Sequence, residues 1–435
     1  MKKQINVGLC GLGTVGAGTA ELLQKNSDII EKRTGFRIQV TRAATIDPYD
    51  HLDVDFSNIK VTDSVSDVIN DPEIDIVVEL IGGDGIAKKI ILEAFAKGKS
   101  VVTANKALLA KHSEEIFKAA YQSEGLFGFE ASVGGGIPII RSIKEGFSGD
   151  RIEGFSGIIN GTANYILSSM TKGKADFSTA LKSAQEKGFA EADPTFDIEG
   201  IDTAHKVIIL MDLAFNGLFD FNQVHIEGIT GIKPIDIELA DKLGYQIKLL
   251  GKAKQGVKGF EGRVHPSLVK SDSMLAAVNG PFNAISVIGN FVGHTMSYGA
   301  GAGSHPTASA VVGDMIEISR NLMNGNSCRV LPLTVAIENL QKMTILPIDE
   351  IESEYYLRFL VKQPWEAINA IRDAFYKEEL DIQQVEQLDG EQADACFVLA
   401  VLTGKMEERA IQGFIKDLET LPFNAFPIKL IRVEP

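Results

Sequence analysis

Six carboxylates crowd the stretch EKGFAEADPTFDIEGIDTAHK, residues 186–206, which closes on His205 and Lys206. Gly188 and Pro194 frame a turn that leaves Glu191 and Asp193 on a loop, whereas IEGIDTAHKVIILMDLAF carries its apolar residues at helical spacing. On that helix Asp202 and Lys206 stand at i and i+4, on one face and in the favourable order, carboxylate before ammonium. On a solvated face the two form an ordinary ion pair worth about 0.3–0.5 kcal/mol. The VIIL run after Lys206 argues for a partly buried helix, where a charge pair needs a reason. A zwitterionic amino acid as substrate supplies one: Glu191 and Asp202 would receive its ammonium while lysines face the oxygen at which hydride chemistry occurs.

A second lysine, Lys106 in VVTANKALLA, directly follows a strand, at the carboxyl edge where α/β sheets bind ligands. Val101, Val102 and Leu108 around it predict low exposure and a pKa drawn below the usual lysine value. A solvated loop lysine is the plainer alternative. GLGTVG comes straight after the strand pattern INVGLC and opens a helix. In that context Gly11 allows the tight turn, Gly13 lets backbone approach a pyrophosphate, and Gly16 lets helix and strand pack closely. The helix N-terminus adds free N–H groups; a plain glycine-rich turn is the competing reading. At the end of the next strand, TIDP offers Asp47, either to the adenosine ribose hydroxyls or simply as a turn residue before Pro48. No arginine adjoins Asp47 to take a 2′-phosphate, although Arg42 is near, so the sequence leans towards NAD without excluding NADP.

These residues need a scaffold. Strands and helices alternate over the first ~130 residues, which predicts a doubly wound parallel sheet of the Rossmann type. From about residue 137 the segments RIEGFSGIINGTANYILSSM, YQIKLLGKAK, FEGRVHPSLV and NAISVIGNFVGHTMSYG predict an open, largely antiparallel sheet with helices on one face, an α+β substrate domain. GAGAGSHPTASAVVGDMIEISRN reads as a glycine turn and a long helix that returns to the first domain. Pro332 and Pro347 bracket a linker, and the segments from YYLRFLV onward follow β-α-β-β-α-β order, the ferredoxin-like pattern of a separate small domain. The expected fold is therefore α/β, with a dinucleotide-binding domain over 1–136 completed by a helix near 305–330. A substrate and dimerisation domain follows over 137–304, then a linker over 331–352 and a ferredoxin-like domain over 353–435.

Composition narrows the partners. At 435 residues the chain exceeds what one core organises. A net charge of −15 argues against nucleic acid and anionic membrane. No apolar run is long enough to span a bilayer, and MKKQINVGLCGLG lacks the features of a signal peptide, which predicts a cytoplasmic protein. Cys10, Cys328 and Cys396 are odd in number and far apart, and read as reduced thiols with packing roles.

The motifs GLGTVG, ELIGG, VVTANKALLA, FEASVGGGIP, IINGTANYIL and GFAEADPTFDIEGIDTAHK, in this order over residues 5 to 330, resemble homoserine dehydrogenase. The resemblance implies reversible NAD(P)-dependent oxidation of L-homoserine to L-aspartate 4-semialdehyde. It implies that Lys206 is the proton donor and acceptor and Lys106 the second active-site lysine. Glu191 and Asp202, with Asp197 close by, match substrate ligands, and Asn160 and Thr162 order the substrate cleft. Thr14, Val15, Asn105, Lys106, Gly188 and Gly303 match cofactor contacts. FEASVGGGIP matches a monovalent-cation loop, suited to sodium, that uses oxygens of Glu130, Val133, Gly135 and Ile137; a plain glycine hinge between domains is the alternative. A homodimer or homotetramer is implied as well. The last domain resembles the ACT regulatory fold, but its first turn reads KQPWEA, with Lys362 and Trp365 where the family pattern has an acid and a glycine. That departure predicts weak or absent threonine binding there.

Two rivals fit less well. A thioester-forming semialdehyde dehydrogenase needs a nucleophilic cysteine in the cleft, and none of the three cysteines falls there. A non-catalytic dinucleotide sensor would leave both lysines without a task.

Overall fold

The computed structural model describes residues 4–47, 53–325, 330–361, 364–388, 397–421 and 427–434. Pro48, Cys328, Lys362 and Cys396, named above, lie outside them.

Six strands, β1 (Gln4–Cys10), β2 (Arg37–Ala44), β3 (Lys60–Thr62), β4 (Ile76–Glu79), β5 (Ser100–Thr103) and β6 (Phe127–Gly128), pair in parallel in the order β3-β2-β1-β4-β5-β6. β4 and β5 are buried at every position, as strands covered on both faces must be. The connecting helices are α1 (Thr14–Lys25), α2 (Ser27–Thr34), α3 (Val65–Ile69), α4 (Ile86–Ala96) and α5 (Lys106–Gln122). Strand order reverses between β1 and β4, the switch point at which such a sheet opens a ligand crevice.

A second sheet carries the rest of the chain. After α6 (Ile139–Arg141) come β7 (Ile152–Ile158), α7 (Gly161–Gly173), α8 (Phe177–Glu186), α9 (Thr195–Ile198), α10 (Ile201–Ala214), β8 (Gly217–Phe219), β9 (His225–Ile226) and α11 (Pro234–Lys242). β10 (Tyr245–Gln255), β11 (Phe260–Lys270), β12 (Phe282–Gly289) and β13 (Gly293–Ala300) complete an antiparallel run in the order β13-β12-β7-β10-β11. α10 lies close on one face of it. A Cβ at Gly251 would stand 2.6 Å from Val207, and one at Gly262 2.5 Å from Met211, so glycine is what admits the helix. α12 (Ser304–Met323) returns to the first sheet, where Val311, Val312, Met315 and Ile318 share a core with Ile5, Val7 and Leu9.

Two expectations change towards the C-terminal end. Residues 331–352 are not a free spacer: β14 (Gln341–Met343) pairs with β8, the Tyr121 hydroxyl donates to the Val335 carbonyl at 2.6 Å, and Leu333 and Ile345 are buried. The segment is a strap laid along the substrate region. Beyond it, β15 (Glu352–Ser353), β16 (Tyr355–Val361), α13 (Pro364–Lys377), β17 (Ile382–Leu388), β18 (Phe397–Thr403), β19 (Met406–Glu407), α14 (Glu408–Glu419) and β20 (Lys429–Glu434) take the order β20-β16-β18-β17, a ferredoxin-like arrangement. This module is not separate, because β20 pairs in parallel with β11, Ser267 opposite Arg432, and the two sheets become one. Joining them removes two open edges at once.

Buried ions pin the seam. Arg432, 2% exposed, donates to Glu408 at 2.6 and 2.9 Å and to Glu227 at 2.8 Å, and Arg358 meets Asp236 at 2.6 Å. Breaking a buried pair strands the partner's charge, which costs about 3–5 kcal/mol. Arg432→Met is therefore expected to destabilise the protein by roughly that amount in denaturant unfolding; an unshifted midpoint would show that the seam carries no such constraint.

Candidate active site

The first two turns of α10 and the ends of β5 and β7 build one cluster. Lys206 Nζ lies 2.6 Å from Asp202 Oδ2 and donates to the Ile159 carbonyl, just past β7, at 2.6 Å. Asn160 caps α7 by accepting from the Ala163 N–H at 2.7 Å, and its amide donates to Asp202 Oδ2 at 2.8 Å and Asp197 Oδ1 at 2.7 Å. The other oxygen of Asp202 faces Lys106 Nζ at 3.2 Å. Asp202 and Lys206 are each 7% exposed, while the Lys106 side chain is 41% exposed at the mouth. The pair is thus buried, and not a solvated surface contact.

Lys106 owes its place to the carboxyl edge of the parallel sheet. Asn105 caps α5 by accepting from the Leu108 N–H at 3.1 Å, and its amide donates to the Gly83 carbonyl at 2.6 Å. Beneath it the buried Glu79 accepts from Ile81 and Gly82 N–H and from the Thr103 hydroxyl at 2.7 Å, locking the ends of β4 and β5 together. Sequence reasoning did not single out Glu79 or Thr103; the signal was an acid closing an otherwise apolar strand, IDIVVEL.

Environment pulls the two lysines in opposite directions. Burial lowers the Lys206 ammonium below the ordinary lysine value, with Asp202 drawing it partly back. Asp202 raises Lys106, against a smaller opposing effect of desolvation, and the charges of Asp197 and Glu191 add to it. The expected depression of Lys106 is corrected accordingly: a tertiary neighbour outweighs its apolar flanks. Burial would raise Asp202, yet Lys206 and Lys106 together hold its carboxyl well below the usual range. Asp197 moves up, through burial and then the neighbouring Asp202 charge.

Around this cluster, Thr162 donates to the Phe189 carbonyl at 2.6 Å and so touches the loop bearing Gly188 and Glu191. Both of those residues are exposed, Gly188 with φ +73°.

The glycine turn has the shape that dinucleotide phosphates require. Gly11 takes φ +103°, and a Cβ on Gly16 would stand 2.1 Å from the Gly11 carbonyl, while Gly13 has open space before it at the N-terminus of α1. Thr14 and Val15 open the helix, and Ser304 Oγ donates to the Thr14 carbonyl at 2.7 Å, which sets Gly303 and the start of α12 beside the start of α1. The residues present fit a bound pyrophosphate. Asp47 is exposed at the end of β2, its N–H donating to Thr45 Oγ1 at 3.1 Å, and Arg42 is engaged by Asp71 at 2.8 Å. Burial, with Glu79 beside it, pushes the Cys10 thiol up to about 12, which makes it a packing group.

Glu130, Val133, Gly135 and Ile137 share one buried turn. The Glu130 carboxylate accepts from Ile140 and Arg141 N–H at 2.9 and 2.8 Å, so an ion there would rely on backbone carbonyls. Of these, the Glu130 carbonyl accepts from Val133 N–H at 3.4 Å and the Ile137 carbonyl from Ile139 N–H at 2.8 Å, each with a lone pair left. Among the described residues no group of three or more His, Cys, Asp and Glu side chains is set to hold a metal.

A parallel sheet with a phosphate-binding turn at its switch point, facing two lysines on one carboxylate, defines an NAD(P)-dependent oxidoreductase acting on a CH–OH group. The NAD-binding domain of homoserine dehydrogenase matches residues 11–130, and the homoserine dehydrogenase domain matches residues 138–316. The chain belongs to the homoserine dehydrogenase family. It is 43% identical to homoserine dehydrogenase of Pseudomonas aeruginosa over 99% of both chains. A crystal structure of a homoserine dehydrogenase from Thiobacillus denitrificans superposes with TM-score 0.93 at 42% identity, covering 100% of this chain and 99% of that one. A hyperthermophilic archaeal homoserine dehydrogenase in complex with NADPH matches at TM-score 0.61 and 26% identity, covering 75% of this chain and 100% of its own. The reaction is the reversible NAD(P)-dependent interconversion of L-homoserine and L-aspartate 4-semialdehyde, a step towards threonine, methionine and isoleucine. No described helix is long and apolar enough to cross a membrane.

His205, between the two key side chains of α10 in sequence, is 2% exposed with its ring centroid 4.9 Å from that of Phe221. Burial pushes it down from 6.5 to about 4. A pKa depressed in the folded state stabilises fully above the unfolded value and is lost as pH falls through the folded one. The acid limb of stability between pH 6.5 and about 4 should therefore flatten in His205→Leu, by on the order of 3 kcal/mol at its foot. Unfolding curves of both proteins across that range check it; parallel curves would exclude His205.

Proposed function

We propose that Lys206 moves the hydroxyl proton while Lys106 stays cationic and polarises the substrate oxygen. The observation that carries this is the opposed shift of two lysines sharing one carboxylate, which separates a group poised to exchange a proton from one held charged. Asp202, kept ionised, orients both. Glu191, with Asp197 and Asp202, receives the substrate ammonium, and Asn160 and Thr162 hold those acids and the loop in register. When bound, the nicotinamide supplies the hydride acceptor. In the oxidative direction neutral Lys206 takes the proton and passes charge no farther than Asp202; in the reductive direction the ammonium returns it.

The dinucleotide phosphates belong at Gly11, Gly13, Thr14, Val15 and Gly16, with Asn105, Lys106, Gly188 and Gly303 around the rest of the cofactor. Asp47 would bond the ribose hydroxyls. Arg42, already paired with Asp71, leaves no free guanidinium for a 2′-phosphate, which favours NAD; the archaeal relative's NADPH shows that the family admits the other. Sodium on the carbonyls of Glu130, Val133, Gly135 and Ile137 would stiffen the turn between the two sheets. We divide the chain at 1–136, 137–304, 331–352 and 353–435, with α12 counted in the first unit and the last module taken as ACT-like. There Trp365 is 77% exposed, so the module is read as serving assembly more than threonine binding. The protein is read as cytoplasmic.

Oligomerisation is supported by Phe282 and Tyr298, 40% and 55% exposed and stacked at 5.3 Å on the β12–β13 hairpin. A homodimer or homotetramer is expected in light scattering, and a monomer mass would end that reading.

Lys206→Met is expected to lower kcat by about 10² or more, the scale of general acid–base catalysis. For the unaltered enzyme, kcat of homoserine oxidation should climb with pH and level off below 10.5, since the base is a depressed lysine. The same assay should give kcat/KM for NAD equal to or above that for NADP. A variant retaining most of its turnover, or a limb still rising past 10.5, would assign the base elsewhere.

A further inference from the structure

Among the described residues no hydrogen bond or ion pair engages the Glu191 carboxylate, although its charge is felt at Lys106. It rides on the turn after α8, where Gly188 adopts φ +73°, the Phe189 N–H donates to the Ala184 carbonyl at 2.8 Å, and Gln185 Nε2 donates to the Glu191 carbonyl at 3.1 Å, so the turn is tied to the end of α8. Something must also fix where that turn lies against the substrate cluster, and α7 supplies those contacts. Thr162 and Tyr165, three apart and so on one face, both reach Phe189: Thr162 through the carbonyl at 2.6 Å, Tyr165 through its ring, with centroids 4.9 Å apart. Lys187 Nζ donates to the Tyr165 hydroxyl at 2.7 Å, and the same oxygen lies 3.1 Å from Ser183 Oγ on α8. The residues on either side of Gly188 are thereby held to one tyrosine. Glu191 follows two residues after Phe189, within about 7 Å of chain, so the anchor sets its position.

We propose that Tyr165 is a positioning residue for substrate binding, clamping Lys187 and Phe189 to α7 so that Glu191 is presented to the substrate ammonium. The proposal rests on the reading of Glu191 given above. It ties ammonium recognition to the same helix whose cap, Asn160, holds Asp202 and Asp197. One helix thus sets the spacing between the acids that grip the amino-acid end and the lysines that work on the alcohol end. Sequence reasoning passed over Tyr165, since an aromatic in NGTANYILSSM reads as ordinary helix packing.

The clamp acts on binding and leaves the proton-transfer groups in place, so it predicts a split between KM and kcat. Steady-state homoserine oxidation at saturating dinucleotide should show KM for homoserine raised about threefold in Tyr165→Phe, which keeps the ring but loses the hydroxyl, and about tenfold in Tyr165→Leu, with kcat within about twofold in both. Lys187→Met, at the exposed C-cap of α8, where a surface substitution costs little stability, should raise KM as Tyr165→Phe does and decides the matter if the leucine variant fails to fold. Glu191→Gln should raise KM at least as far as Tyr165→Leu, and the double variant should add little more, because both act through one contact. An unchanged KM in Tyr165→Leu and Lys187→Met beside a raised KM in Glu191→Gln would overturn the clamp alone. An unchanged KM in Glu191→Gln would instead overturn the ammonium reading beneath it. A fall in kcat at constant KM in the Tyr165 variants would also overturn the clamp, moving Tyr165 into the chemical step.

Discussion

Two ammonium groups and one amide converge on the Asp202 carboxylate, and much of the molecule is arranged so that they can. Lys206 and Asn160 hold one oxygen and Lys106 faces the other. A buried carboxylate without partners would cost several kcal/mol, so each partner must be delivered by an element that cannot drift. Lys206 comes from the same helix, Asn160 from the cap of α7, and Lys106 from the start of α5 on the other sheet. The carboxylate is thus the point at which the nucleotide-binding sheet and the substrate sheet are tied together. Glycines at 251 and 262, which let α10 sink onto its sheet, and Glu79, which locks the ends of β4 and β5, serve that one meeting.

The same geometry separates the two lysines by chemistry. Residues of one type, within reach of one acid, differ because one is enclosed and the other opens to solvent. At Lys206 the penalty of enclosure outweighs the pull of Asp202, whereas at Lys106 the pull of Asp202, with Asp197 and Glu191 behind it, outweighs a smaller desolvation cost.

Much of this was written in local pattern. GLGTVG after a buried strand pointed to the crevice, and the VIIL run after Lys206 pointed to a partly buried helix, while the four-residue spacing of Asp202 and Lys206 alone fitted a surface ion pair equally well. What stayed hidden depends on distant segments meeting. The sign of the Lys106 shift could not be read from Val101, Val102 and Leu108, because Asp202, nearly a hundred residues on, decides it. The strap over 331–352 looked like a linker because its prolines are genuine, while its pairing with β8 has no local signature. The union of β11 with β20 was equally invisible: a strand's sequence records which face is buried but not which remote edge it will join.

That union also bears on how the chain comes into being. Translation proceeds from β11 through the hairpin, α12, the strap and most of the ferredoxin-like module before β20 is made. Throughout that interval the Ser267–Val269 edge of β11 has no partner of its own and presents open backbone groups. Arg432, which neutralises Glu227 beside that edge, arrives with the same strand. Nascent chains therefore pass through a long stage in which this edge is open to foreign strands, and only the last strand, β20, closes it.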